Sequence, residues 1–257
     1  MRLDIWLEGM TTYDGKKIVI TGGSSGIGLA TARLFADGGA HVLITGRTRS
    51  TLDAALEQLG NKAIAVPGDA ASLKDIKALA GTVQERFGAV DALFVNAGVT
   101  ASAPFDLTTE EMYDELFGIN AKGPYFTVQA LAPLLREGSA VVLTTSVVNV
   151  LGLDALSVYS ASKAALRSMT RTLARELLPR KVRVNTVSPG PVDSGILDRS
   201  LLSADVVEAM KDTYRSTNPM QRLGTPEEVA AAVAYLAFGA TFSTGTEFPV
   251  DGGASQL

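Results

Sequence analysis

The sequence predicts an α/β fold, a doubly wound parallel sheet of about seven strands with helices on both faces. Three observations carry this. Short β-branched runs alternate with helical patterns along the whole chain. The strand runs are apolar on both faces, as expected when helices cover a parallel sheet on each side. A glycine-rich segment stands between the first such run and the first helix.

The elements follow in order. Lys17 to Thr21 reads as a first strand and Ile27 to Ala36 as an amphipathic helix, ended by Gly38 and Gly39. His41 to Thr45 reads as a second strand, followed by a helix around Thr51 to Leu59. Ala63 to Val66 is a third strand, with Ser72 to Phe87 as its helix. Ala92 to Val95 is a fourth, followed by a long helical stretch from about Thr109 to Leu135. Ala140 to Thr145 is a fifth strand, Tyr159 to Leu178 a helix, and Val182 to Val187 a sixth strand. Thr225-Pro226-Glu227-Glu228 opens another helix, with a hydroxyl cap, proline at the first helical position and Glu at the third. Phe248 to Val250 reads as the last strand. No linker, repeat or low-complexity segment interrupts the series, so one domain over 1–257 is expected. Residues 1–14 are expected as a flexible extension. The irregular stretch from Gly190 to about Ser203 is long for a compact domain, so a substrate loop is expected over about 190–215.

Composition narrows the function classes. The 257 residues are 46% apolar and 19% charged, enough apolar material for a sizeable core. The formal net charge of −4 argues against a nucleic-acid or acidic-membrane partner. Cysteine is absent, which removes disulfides, thiolate metal sites and cysteine nucleophiles. His41 is the one histidine, so a metal site built on several imidazoles is excluded, and its place at a strand start suits a structural role. Met1 to Gly9 carries Asp4 and Glu8 and lacks the apolar core of a signal peptide. The longest apolar stretch, Val229 to Phe238, is far short of the roughly 20 residues a membrane span needs. A cytoplasmic protein is the expectation, with Met10 as an alternative start.

Thr21-Gly22-Gly23-Ser24-Ser25-Gly26-Ile27-Gly28 joins the first strand to the first helix. Glycine permits the tight turn and lets backbone N–H groups approach a pyrophosphate, whose charge the helix N-terminus stabilises. That is the logic of a Rossmann-type dinucleotide site. The spacing differs from the common fingerprint, because Gly26 stands four positions after Gly22 rather than two. This TGxxxGIG pattern resembles the short-chain dehydrogenase/reductase family in its single-domain branch, and the resemblance runs from about Gly15 to Gly253.

The end of the second strand speaks to the cofactor. An NAD-selective site of this type carries an acidic residue about 20 residues after the glycines. Here that position is Gly46, followed by Arg47 and Thr48. Without the carboxylate a 2′-phosphate is not repelled, and a guanidinium can clasp it with two hydrogen bonds. Ser24 adds a hydroxyl. The expected cofactor is NADP(H), and the resemblance implies the same. It also implies adenine contacts from Asp69 and Ala70. Asn96-Ala97-Gly98 matches a family segment in which Val95 replaces the first Asn. Pro189-Gly190-Pro191-Val192-Asp193-Ser194 matches a nicotinamide-contacting motif, with Ser194 in place of the usual Thr.

Tyr159 and Lys163 lie four apart, on one face of a helix. Tyr13 and Lys17 share that spacing but have no hydroxyl residue placed upstream. Ser146 stands 13 residues before Tyr159, at the end of the fifth strand, where ligands of open α/β sheets bind. Carbonyl reduction needs a hydride donor, supplied by the cofactor, and a proton donor. Tyrosine titrates near pH 10 when free, and a neighbouring Lys163 ammonium is expected to lower that value. Tyr159 is then general acid in reduction and base in oxidation, with Ser146 bonding the substrate oxygen. The resemblance implies that Lys163 also holds the nicotinamide ribose, and that Asn120 kinks its helix and supports a water relay to the lysine.

The expected pocket walls are Val147, Val148, Asn149, Leu151, Leu153 and the stretch Ile196 to Leu202. They are largely apolar, which suits a hydrophobic ketone or secondary alcohol. Leu151-Gly152-Leu153 together with the Tyr159 motif resembles bacterial NADP-linked secondary-alcohol dehydrogenases. Reduction of a 3-oxoacyl carrier substrate, or oxidation of a sugar or polyol, are rivals within the family. Only Arg199, balanced by Asp198, would face a carrier protein. A redox-sensing dinucleotide-binding module without catalysis is the rival from another class. The resemblance also implies a homotetramer or homodimer pairing the helices that carry Asn120 and Tyr159.

Overall fold

The computed structural model describes residues 13–195, 197 and 203–257. Its strands are β1 (Lys17–Thr21), β2 (His41–Gly46), β3 (Ala63–Pro67), β4 (Val90–Val95), β5 (Leu135–Thr144), β6 (Arg183–Pro189) and β7 (Glu247–Val250). They form one parallel sheet in the order β3-β2-β1-β4-β5-β6-β7. The helices are α1 (Gly26–Asp37), α2 (Arg49–Leu59), α3 (Leu73–Arg86), α4 (Glu110–Phe117), α5 (Gly123–Leu131), α6 (Ser157–Leu177), α7 (Ala204–Thr217) and α8 (Pro226–Ala234). The expected α/β class, strand number and parallel pairing all stand.

Strand alternation splits the core into two layers. Ile18, Ile20, Val42, Ile44 and Phe94 face α1 and α8 on one side, where Phe35, Val229 and Val233 meet them. Val19, Leu43, Leu93, Val141 and Leu143 face the other side, against Val83, Val128 and Leu166 of α3, α5 and α6. The order reverses at β1, which pairs with β2 on one side and β4 on the other. Thr21 lies beside Val95, so the chain leaves both strands at one level and opens a crevice there.

Several boundaries differ from expectation. The long helical stretch is interrupted by a π-helical turn at Gly118–Lys122, which contains Asn120. β5 begins at Leu135, because Leu135 pairs with Val90 before a register shift carries Ala140 to Ala92. The exposed Arg136-Glu137-Gly138 excursion hides that early start from a hydropathy reading. Tyr13 does not belong to a loose extension. Its N–H donates to the Gly38 carbonyl at 2.7 Å and its ring packs edge-on against Phe35 at 4.8 Å. Residues 1–12, including Met10, lie outside the described residues. The span 190–215 is not loop throughout, since α7 starts at Ala204. Among the described residues no helix is long and apolar enough to cross a membrane.

Candidate active site

The turn after β1 is built for close approach. Gly22 has φ +65°, and a Cβ there would stand 2.9 Å from Ala97 Cα. A Cβ on Gly28 would stand 2.1 Å from the Gly22 carbonyl oxygen, so only glycine lets α1 start against its own turn. Ser25 is the N-cap of α1, yet its side chain makes no cap bond, and Ile27 and its neighbours put no acid in the first turn. The first N–H groups of that helix therefore lack intrahelical partners and face the crevice with the positive end of the dipole. This cradle fits a pyrophosphate.

Asn96 ties the crevice walls together. Its N–H donates to Thr21 Oγ1 at 3.0 Å, its Nδ2 to the Gly22 carbonyl at 3.2 Å, and its Oδ1 accepts from Thr144 Oγ1 at 3.2 Å. Ala97 N–H shares the same Thr21 hydroxyl at 3.1 Å. At the end of β2, a Cβ on Gly46 would lie 2.9 Å from Ser24 Oγ, which brings Ser24 beside that strand end. Arg47 is exposed, and Thr48 caps α2 with its hydroxyl free of a cap bond and no acid in the first turn. Asp69 is exposed at the end of β3 and accepts from Ala71 N–H at 2.9 Å, while the Ala70 carbonyl packs against Gly123. Across the crevice, Pro189 ends β6, Gly190 N–H donates to the Val250 carbonyl at 3.0 Å, and Val192 bridges Gly224. The Ser194 carbonyl sits 2.8 Å from where a Gly26 Cβ would be, so this turn lies over the start of α1.

Ser146, Tyr159 and Lys163 converge beside it. Ser146 caps a short 3-10 turn, Val147–Asn149, accepting from Val148 N–H at 3.4 Å, and its hydroxyl lies near enough to Tyr159 to favour the phenolate. Lys163 is buried, with Nζ donating to the Thr144 carbonyl at 3.0 Å and lying 5.8 Å from the Tyr159 ring centre. Asn120 is fully buried in its π turn. Its amide accepts from Val99 N–H and donates to the Val99 carbonyl, both at 2.9 Å, with a further donation to Ser162 Oγ at 3.2 Å. A Cβ on Gly98 would meet both Asn120 Oδ1 at 3.2 Å and Lys163 Nζ at 3.3 Å. All four residues expected to act together thus lie at one end of the sheet. Tyr13 and Lys17 do not form a second such pair, because Lys17 Nζ is bonded to the Phe87 carbonyl at 2.6 Å.

One electrostatic expectation is corrected. Lys163 does not bring the tyrosine down in the cofactor-free chain. Burial raises Tyr159 above its ordinary value, the Ser146 hydroxyl offsets part of that, and Tyr214 raises it further. Burial also lowers Lys163 to about 8. Desolvation penalises both charged forms at once, and the nearby Lys163 ammonium does not reverse it for the phenolate.

The substrate side is more mixed. Val148 is buried, while Leu153 is 48% exposed and Val150 65% exposed, giving the site an apolar rim. Asn149 is not a free wall residue: its Nδ2 is committed to the Ser146 carbonyl at 2.5 Å and to Glu247 Oε1 at 2.7 Å. Ile196, Asp198, Arg199 and 200–202 lie outside the described residues. Sequence reasoning missed α7, which turns Val207, Lys211 and Asn218 inward, ties Lys211 to Asp193 at 3.1 Å and brings Tyr214 into the field of Tyr159. The signal was there in Ser203-Ala204-Asp205 before Val207, Lys211 and Tyr214 at helical spacing.

Comparison with known proteins agrees with this geometry. A family model described as enoyl-(acyl carrier protein) reductase matches residues 22–255. An oxidoreductase, asL5, of Sarocladium schorii is 39% identical over 246 residues, 95% of this chain and 97% of its own. A 3alpha-hydroxysteroid dehydrogenase of Mediterraneibacter gnavus is 36% identical, covering 93% of this chain and 96% of its own. A solved structure from Brucella melitensis, described as a short-chain dehydrogenase/reductase and glucose/ribitol dehydrogenase, superposes with a TM-score of 0.89. It is 32% identical and covers 96% of this chain and 99% of that one.

The buried lysine makes a stability prediction. A lysine held below its ordinary 10.5 costs folding free energy while it stays protonated. That cost is fully present below about pH 8 and fades as pH rises toward 10.5, where the unfolded chain loses the same proton. Lys163→Met is expected to stabilise the cofactor-free protein at pH 7 by roughly 1–3 kcal/mol, and by less at pH 10. Urea unfolding at the two pH values measures it, and an equal difference at both would contradict the assignment.

Proposed function

The chain belongs to the short-chain dehydrogenase/reductase family, and from that premise we propose that it interconverts a ketone and a secondary alcohol with NADP(H). Members of this family are oxidoreductases that use nicotinamide dinucleotides, NAD or NADP. The observation that carries the finer reading is the convergence of Ser146, Tyr159 and Lys163 beside an uncapped α1 N-terminus.

When bound, the dinucleotide supplies the hydride. Gly22, Ser25, Gly26, Ile27 and Gly28 hold its pyrophosphate on α1, and Asp69, Ala70 and Asn96 to Gly98 line the adenosine side. Gly190, Val192 and Ser194 close the nicotinamide side. The chain's own residues do the rest. Ser146 donates to the substrate oxygen and stabilises the charge that develops there. Tyr159 carries its proton at rest, which suits a general acid for ketone reduction. Lys163 holds the ribose and lends positive charge, while Asn120 fixes Val99 and the floor beneath the lysine. Val148, Val150 and Leu153 make an apolar rim, which favours a hydrophobic ketone over a sugar, and the hydroxysteroid dehydrogenase relative handles a hydrophobic substrate of that kind.

Selectivity for NADP(H) rests on Ser24, Gly46, Arg47 and Thr48. Arg47 has no side-chain partner among the described residues and is exposed at the strand end, ready for a 2′-phosphate. A carboxylate at position 46 would first have to displace Ser24 Oγ. We also propose a homotetramer or homodimer. β7 is the sheet's edge strand, and Phe248, 40% exposed, lies with Tyr235, 48% exposed, on the apolar surface beside it.

Tyr159→Phe removes the ionisable hydroxyl and keeps the ring. It is expected to lower kcat for NADPH-dependent ketone reduction by roughly 10²-fold or more, with NADPH binding retained. Near-normal turnover would remove Tyr159 from its role. Failure of the wild type to oxidise NADPH with any ketone of a broad panel would favour the non-catalytic reading.

Arg47→Ala is expected to reduce kcat/KM for NADPH by roughly ten- to a hundredfold, the worth of about 1.5–3 kcal/mol, and to leave NADH nearly unchanged. Equal losses for both cofactors would place Arg47 against the adenine instead.

Sedimentation velocity at micromolar concentration is expected to show a dimer or tetramer; a monomer would refute the assembly.

A further inference from the structure

We infer that Glu247, on the C-terminal strand, is a positioning residue that locks the Ser146 turn to the helix carrying Tyr159 and Lys163. This inference rests on Ser146 and Tyr159 acting as proposed above. Glu247 touches neither of them. It acts through the residues on either side of Ser146.

The two carboxylate oxygens divide the work. Oε1 accepts from Asn149 Nδ2 at 2.7 Å, and it shares the Thr145 hydroxyl, 3.2 Å away, with the Val187 carbonyl at 3.1 Å. Oε2 accepts from Arg167 Nε at 3.1 Å. Thr145 immediately precedes Ser146. Asn149 ends the turn that Ser146 caps, and its Nδ2 also donates to the Ser146 carbonyl at 2.5 Å. Arg167 lies one helical turn after Lys163, so it extends the same face of α6. Its Nη1 donates to the Gly245 carbonyl at 3.1 Å, which roots the pair in the approach to β7. One side chain thus clamps the serine turn at both ends and ties it to the helix of the tyrosine.

The clamp is largely out of water. The Arg167 and Glu247 side chains are 13% and 18% exposed. Solvent screening is weak there, and the geometry is held by several bonds rather than one. Arg171 repels Arg167 from one turn further on, and Glu247 is the counter-charge that offsets this for Arg167. A partly buried ion pair adds little net stability over a well-packed apolar alternative. Its yield here is directional: the bonds end on the two residues that flank a hydroxyl whose position matters. Misplacing a reacting group by about 1 Å can cost 10²-fold in rate.

The test compares wild type with Glu247→Ala, Glu247→Gln and Asn149→Ala, by two readouts. One is kcat and KM for ketone reduction. The other is the ultraviolet tyrosinate titration of Tyr159, taken as the difference from the same protein carrying Tyr159→Phe. The groups facing Tyr159 are Ser146, Lys163 on its own helix and Tyr214 on α7. Glu247→Ala is expected to lower kcat about 10- to 100-fold with little change in KM for NADPH. Its Tyr159 should titrate at higher pH, because a displaced Ser146 hydroxyl favours the phenolate less. Glu247→Gln keeps an acceptor oxygen for Asn149 and Thr145, so it is expected to recover most of kcat while melting lower than wild type. Asn149→Ala should reproduce the kcat loss with the ion pair intact, which keeps the test open if Glu247→Ala does not fold. Normal kcat and an unmoved Tyr159 titration in Glu247→Ala and Asn149→Ala would overturn the inference and leave Glu247 a strut of the fold. The titration needs no substrate, so if an inactive wild type refutes the proposed reaction, a raised Tyr159 titration in Glu247→Ala still supports this inference and an unmoved one in both variants overturns it.

Discussion

A protonated lysine inside a protein is an expense, and much of this site is arranged around that one ammonium. Lys163 donates to the Thr144 carbonyl, at the last residue of β5. The same Thr144 donates its hydroxyl to Asn96, and Asn96 in turn donates to the Gly22 carbonyl. Three hydrogen bonds therefore run from the helix that carries Tyr159 and Lys163 to the glycine turn across the sheet ends. On the other side, Gly98 leaves room for both Lys163 Nζ and Asn120 Oδ1. Asn120 is held by Val99 through donor and acceptor alike, so it has no freedom to swing toward other partners. A group that costs stability where it sits is thereby held in one place by neighbours that are themselves tied down.

The division of labour along each strand follows from the same constraint. The strand bodies are apolar on both faces and pack into two layers. Thr21, Asn96, Thr144, Thr145 and Ser146 all fall at or just beyond carboxyl ends, where the sheet stops and polar groups can find partners. That pattern was legible in the sequence. Buried parallel strands need uninterrupted apolar runs, and a glycine-rich turn, an Asn-Ala-Gly turn and a serine stand directly after three of them. The Tyr159–Lys163 spacing became informative only with Ser146 at the end of its strand, since Tyr13 and Lys17 share the spacing and do something else.

What stayed hidden was of two kinds. Some features depend on pairing over long distances. Glu247 meets Thr145 across 102 residues and Asn149 across 98, and no local pattern announces that. Asn149 looked like a pocket wall because its neighbours are apolar, whereas its amide is spent on the backbone of the serine turn. The early start of β5 is similar, since a bulge allows Leu135 to pair with Val90 ahead of a charged excursion. Other features were masked by local composition. α7 begins after an irregular stretch and carries Lys211 on its inward face, where an apolar residue is expected. Its reason is Asp193, which lies on the loop it packs against.

The electrostatics complete the picture. Proximity of a lysine to a tyrosine is not enough to ionise the tyrosine, because burial acts on both groups and opposes each charge. In the cofactor-free chain burial outweighs the Ser146 hydroxyl, so the phenol keeps its proton and the ammonium is loosened. Among the described residues Ser146 works against burial and favours the phenolate, so its placement bears directly on Tyr159. Its hydroxyl faces Tyr159, its carbonyl is held by Asn149, and its preceding neighbour is held by Glu247. The short 3-10 turn that carries Ser146 is thus pinned to the last strand on the same side of the site as Tyr159.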